Sequence, residues 1–237
     1  MDLKKYQCLS GSWLKLIAIT TMLIDHVTHH IFRGMPWAFY KILEVGDRVL
    51  TPYALLRGVG RMAFPIFAFL IVEGFLHTHD RWKYGRNLLL FALISEIPWN
   101  LVNKNTLFWS HQNVFFTLFL GYLGICVIDR YKDNIERMAL LLLALLAGSV
   151  LCRGDYGCSG FGFILMLYVL RNHKLYMSIV GSCFLSSTWR AGLAFIPICM
   201  YNGERGFVKG SILKYAFYVF YPLHLIIIYL VKLHLYT

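Results

Sequence analysis

Apolar runs separated by short polar connections occupy 13–32, 62–77, 84–102, 113–128, 138–152, 157–170, 175–188, 191–201 and 215–233. A helix needs about 20 residues to cross an untilted bilayer. Most of these runs reach or approach that length; those at 175–188 and 191–201 are short, so one is re-entrant or the two form a single broken span. The pattern predicts an all-α, polytopic membrane helical bundle of about nine transmembrane helices, organised as one integral membrane domain over residues 1–237. Residues 1–13 hold no separate apolar core with a cleavage site, so the first run is expected to be a retained span. The longest connection is 33–60. Within it, residues 37–56 mix aromatics with Lys41, Glu44, Asp47 and Arg48, followed by Arg57, which predicts an amphipathic helix lying in the membrane interface. No internal repeat is visible, which counts against carriers built from duplicated halves.

Composition sharpens the membrane reading. The chain is 58% hydrophobic and 15% charged, with mean hydropathy +0.59, too apolar for a soluble domain. The formal charge of +11 would suggest nucleic acid in a soluble protein. Its Lys and Arg are spread over the loops instead, and no nucleic-acid partner is expected. With the N-terminus cytoplasmic, Lys4, Lys5 and the inner loops hold about thirteen of the basic residues and the outer segments about eight. That bias sets the orientation. The cysteines, Cys8, Cys126, Cys152, Cys158, Cys183 and Cys199, form no CxxC or Cys/His run, so no metal site is expected. Cys152 and Cys158 flank the RGDYG loop, where packed thiols are favoured over a disulfide because spacing says nothing of geometry.

Ionisable groups inside such spans cost a few kcal/mol or more and are kept for chemistry, ion passage or pairing. In the first run, LKLIAITTMLIDHVTHH, Asp25 and His26 lie side by side in the outer half, with His29 and His30 beyond. Arg61 opens the next run. Glu96 and Asn100 end the third at the outer side, where Gln112 and Asn113 begin the fourth and Asp155 and Tyr156 follow. Several helices thus bring polar groups to one level, as an active site within a bundle requires. Each has a plainer reading. Asp25 with Arg61 makes a structural ion pair, Glu96 is an interfacial carboxylate, Asn113 is a helix N-cap, and Glu73 pairs with His77 one turn on. Near the end, NGERG (with Asn202, Glu204 and Arg205) forms an inner turn able to meet a charged ligand. YPLH places Tyr221 and His224 at membrane depth, with Pro222 freeing a helix carbonyl. Burial and a neighbouring carboxylate act on an imidazole in opposite senses, so Asp25 and His26 can be poised for proton transfer near neutrality.

LKLIAITTMLIDH, GRMAFPIFAFLIVEGF, FALISEIPWNL followed by QNVFFTL, DYG, NGERG and FYPLHL together resemble the TraX family, in order and over most of the chain. The first helix, with Lys15 early and His26 at its polar end, is similar to that of acyltransferase type 3 proteins. FPIFAFLIVEG is similar to a run in the lysosomal heparan-glucosamine N-acetyltransferase, which has Asn where this chain has Asp25. The resemblance implies a transmembrane acyltransferase in the bacterial inner membrane, N-terminus cytoplasmic, with acetyl-CoA as co-substrate. The acceptor would be a pilin N-terminus by family precedent, or another peptide amine, small amine or glycan on the outer side. Membrane lipid is its surrounding partner, and a homo-oligomer is compatible with it.

On that reading His26 is the base, Asp25 stabilises the imidazolium and Arg61, Gln112 or Asn113 faces the developing oxyanion. An acetyl-histidine intermediate is a variant. The donor would be held by Glu96, Gln112, Asn113, Asn202, Glu204, Arg205, Tyr221 and His224, its nucleotide at basic inner loops. Two other classes fit the same polar groups: a proton-coupled transporter or flippase, and a structural subunit of a conjugation or secretion assembly.

Overall fold

The computed structural model describes residues 6–46 and 48–236. Lys4, Lys5 and Asp47, used above for orientation and for the outer connection, lie outside them. In chain order the elements are α1 (Gly11–His30), 3-10 turns at Phe32–Gly34 and Pro36–Phe39, and strands β1 (Leu43–Val45) and β2 (Arg48–Leu50). Next come α2 (Pro52–Gly60), α3 (Ala63–His77), α4 (Arg81–Lys104), α5 (Val114–Arg130), α6 (Ile135–Cys152), α7 (Gly157–Val169) and α8 (Lys174–Phe184). A 3-10 run Ser186–Ala194, α9 (Phe195–Cys199) and α10 (Ser211–Tyr236) complete the series. The chain is thus mostly helical. It divides into two compact units, one drawn from Met1–Phe67 and Ser182–Thr237, the other from Ala68–Gly181.

Among the described residues, three helical stretches are long and apolar enough to cross a membrane: Pro52–His77, Ile135–Cys152 and Ile212–Tyr236. The packing of α6 gives the clearest sign of lipid. Its one buried residue is Ser149, while Leu140, Leu143 and Leu151 stand 62% exposed or more. A helix that turns its leucines outward is stable in hydrocarbon and not in water.

Residues 37–56 do not form the single amphipathic helix expected there. They fold as a 3-10 turn, an antiparallel hairpin with Leu43 opposite Leu50, and the start of α2. Two residues impose the breaks. Gly46 turns the hairpin at φ +59°, a conformation that suits a residue without Cβ. Pro52, lacking an N–H, fits the first turn of a helix but not its interior. Thr51 then caps α2 by accepting from Ala54 N at 3.1 Å. The two short runs are interrupted as well: α8 ends at Phe184, and a 3-10 stretch precedes the five-residue α9. Free thiols are found at all six cysteines, so Cys152 and Cys158 are not bonded.

In the unit from 68 to 181, α5 packs on α7 through its glycines. A Cβ on Gly121 would lie 2.4 Å from Ile164, and one on Gly124 2.7 Å from Leu165. Small residues at helix crossings let backbones approach closely, the usual device where burial in water is not the driving force.

Candidate functional site

In the unit containing both chain ends, α1, α2 and α10 bring the ionisable residues together near the C-terminal end of α1. His26 Nδ1 lies 2.7 Å from His224 Nε2, and the two rings are parallel to within 2°. Tyr221 stands over the pair, its ring centroid 6.2 Å from that of His26 and 5.5 Å from that of His224. The histidine group continues along α1: His30 is 6.1 Å from His26 and 4.7 Å from His29, ring to ring. His29 Nδ1 lies 3.3 Å from the Tyr53 hydroxyl of α2.

Asp25 is paired, but with a different arginine from the one expected. Arg57 Nη1 donates to Asp25 Oδ2 at 2.5 Å and approaches the Asp25 carbonyl at 3.4 Å. Arg61, one turn later, follows the C-terminus of α2, and its backbone N–H bonds to the Arg57 carbonyl. Its charge still acts on Asp25 through space. The reason is the crossing of α1 and α2. Gly60 sits against Asp25 so closely that a Cβ there would lie 2.4 Å from Asp25 Cβ, and this contact places Arg57 over the carboxylate. Asp25 Oδ1 is buried without a hydrogen-bond partner. Arg57 is the residue that sequence reasoning missed; its spacing of one turn from Arg61 was the available signal, since both share a helix face.

Asn202, Glu204 and Arg205 lie elsewhere. The Glu204 and Arg205 carbonyls accept from Gly11 N at 2.7 Å and Ser12 N at 3.0 Å, so the NGERG turn covers the start of α1. Ser12 Oγ, fully buried, donates to Arg205 O at 2.8 Å and accepts from Val208 N at 2.8 Å. Asn202 Oδ1 accepts from Glu204 N at 2.9 Å and shapes the turn. This end of α1 is about 22 Å from His26 along the helix axis. The Glu204, Arg205 and Lys209 side chains are exposed there, and the charges of Arg205 and Lys214 act on Lys15. A cavity of about 440 Å³ opens at the same end, lined by Tyr6, Gly192, Phe195, Ile196, Cys199 and Met200; His26 is not among its walls.

The other unit holds Glu96, Gln112 and Asn113 in its own polar corner. Asn113, fully buried, is the N-cap of α5, its Oδ1 accepting from Phe115 N at 3.0 Å. Its Nδ2 donates to Glu96 Oε2 at 2.6 Å and to Ala92 O at 2.8 Å, so both amide hydrogens are used within the protein. The backbone of Gln112 pairs with the DYG loop through Arg153 O at 3.2 Å. Glu96 Oε1 and Asn100 Oδ1 are buried without hydrogen-bond partners. At the end of α3, Glu73 and His77 approach to 3.7 Å as the spacing suggested.

Comparison with known proteins accords with the motifs. No solved structure matches the chain. A curated protein of Dichelobacter nodosus, described as "Probable fimbrial assembly protein FimC, serogroup H1", is 28% identical over 256 residues, covering 95% of this chain and 97% of that protein. The family model described as "TraX protein" matches residues 10–232. The match takes in α1 with its histidines, the Arg57 and Arg61 pair and most of α10 with His224, and by it the chain belongs to the TraX family.

Proposed function

We propose that this chain is a membrane-embedded acyltransferase. It would move an acetyl group from cytoplasmic acetyl-CoA to an amine on the outer face of a bacterial inner membrane, with a pilin N-terminus as acceptor. The family and the fimbrial assembly protein among its relatives favour a pilin-related role. The observation that carries the reading is His26 in contact with His224 inside an apolar helix pair, a costly arrangement of the kind kept for function.

As the acceptor nitrogen attacks the thioester carbon, His26 Nε2 takes a proton from it. The tetrahedral intermediate then expels the sulfur of coenzyme A, which receives that proton from His26, leaving an acetamide and a free thiol. The positive charge on His26 is offset by His224 as hydrogen-bond acceptor and by Asp25 one residue away. Arg61, whose charge reaches the same end of α1 through its action on Asp25, is assigned to the oxyanion. The phosphates of the donor suit Arg205 and Lys209 at the opposite end of α1, and the long pantetheine arm suits the distance between that end and His26. This reading takes about nine crossings and a cytoplasmic N-terminus.

The test is transfer of labelled acetyl from acetyl-CoA by the full chain in lipid nanodiscs. His26→Ala and Asp25→Asn variants that stay folded are expected to lose it, and full activity in both would remove the mechanism. The unbroken row of imidazoles from His224 through His26 and His30 to His29 favours proton-coupled transport as the second reading. Proton flux in liposomes that does not depend on coenzyme A would select it.

A further inference from the structure

We infer that His224 is a positioning residue that fixes the tautomer of His26, and with it which ring nitrogen is the base. Only its kinetic consequence rests on the acyl-transfer reading above. His224 Nδ1 lies 2.9 Å from Phe220 O, and a carbonyl can only accept, so Nδ1 of His224 carries its hydrogen. A neutral imidazole has one N–H, which leaves His224 Nε2 as an acceptor. The group 2.7 Å away is His26 Nδ1, which must then be the donor. His26 Nε2 is therefore the nitrogen with the basic lone pair. One backbone carbonyl on α10 sets the protonation pattern of a ring on α1, through two hydrogen bonds in series.

The geometry suits a relay better than a casual contact. With ring planes 2° apart, the N–H of His26 points along the lone pair of His224, and both lie in one plane. The His224 side chain is 4% exposed and held on two sides, by Phe220 stacked at 5.0 Å and Tyr221 edge-on at 5.5 Å. It has no room to turn its ring and exchange nitrogens. The carbonyl of Phe220 has a second lone pair beyond the one used by the helix, so the side-chain bond does not compete with α10 itself. When His26 gains a proton at Nε2, its Nδ1–H becomes charged and the bond to His224 strengthens. The arrangement gives His26 the orientation that a carboxylate gives a catalytic histidine elsewhere, with a neutral acceptor in its place. Asp25 is free of that duty because Arg57 holds its Oδ2.

The experiment uses full-length protein with ¹⁵N-labelled histidine in lipid nanodiscs. In the unsubstituted chain, magnetic resonance should show His26 with a hydrogen-bearing Nδ1 and an unprotonated Nε2, and a coupling across the hydrogen bond between the two ring nitrogens. His224→Phe keeps the aromatic packing and removes the acceptor; His26 should then show both tautomers, and kcat for acetyl transfer should fall about 100-fold while KM for acetyl-CoA changes less than about twofold. His224→Gln restores an acceptor towards His26 and a donor towards Phe220, and should recover kcat to within about tenfold of the unsubstituted chain. A His26 that carries its hydrogen on Nε2 in the unsubstituted protein would overturn the inference, as would a His224→Gln variant no more active than His224→Phe. If the unsubstituted chain transfers no acetyl group, the functional reading falls, and the tautomer spectrum still decides the pairing by itself.

Discussion

Arg57 clasps Asp25 at 2.5 Å from a helix that begins 27 residues beyond it, with the two side chains only 18% and 16% exposed. Removing one member of a poorly hydrated ion pair leaves the other uncompensated, which costs more than the pair is worth. Arg57→Gln and Asp25→Asn should therefore each lower stability by about 3 kcal/mol. The double variant should lose clearly less than the sum, with a coupling on the order of 2 kcal/mol. Thermal unfolding of the four proteins in detergent measures this; strict additivity would mean that the two side chains do not act on one another.

Two neighbouring glycines should respond differently to the same change. A Cβ on Gly60 would meet the Asp25 Cβ at 2.4 Å and its Cα at 2.7 Å, and a backbone atom cannot step aside. A Cβ on Gly58 would meet Arg190 Cδ at 2.3 Å, the middle of a flexible side chain. Gly60→Ala is expected to cost about 2 kcal/mol, and Gly58→Ala less. Midpoints of thermal unfolding in the reverse order would show that α1 and α2 do not cross at Gly60.

Asn113 has both amide hydrogens and its side-chain oxygen engaged within the protein, so its first effect should be on folding. Asn113→Ala removes the α5 cap and strands a buried Glu96 oxygen, at a cost of about 2 kcal/mol. Glu96→Gln keeps an acceptor and should cost under about 1 kcal/mol. Midpoints of thermal unfolding measure both, and equal losses in the two variants would show that the Asn113 cap does not hold α5.

Leu143 offers a direct test of the lipid face. At 62% exposure it would tolerate lysine in a water-soluble protein. Facing hydrocarbon, Leu143→Lys should cost about 3 kcal/mol for insertion, whereas Leu143→Ala should insert normally. The fraction of each variant recovered in membranes after alkaline extraction reads this out, and equal recovery would place α6 outside the lipid.

The helices were legible because their signal is local. The run read as 13–32 forms Gly11–His30, 84–102 forms Arg81–Lys104 and 113–128 forms Val114–Arg130, bounded by polar residues that stop or cap them. The Asn113 cap and the Glu73–His77 contact were legible for the same reason, each lying within one turn. The hairpin at 43–50 was not, since its aromatics and charges fit an interfacial helix equally well until Gly46 and Pro52 are given their backbone roles.

By itself the sequence determined that apolar helices carry an aspartate, several histidines and two arginines one turn apart, because periodicity and the cost of buried charge are properties of a segment. It also determined the family, through motifs spread along the chain. Only the tertiary structure decided which of Arg57 and Arg61 holds Asp25, and that His26 meets a ring 198 positions away. Both outcomes depend on where helices cross, and a crossing is set by packing between segments that share no local pattern: a glycine where two backbones touch, and a stacked ring that has no room to turn.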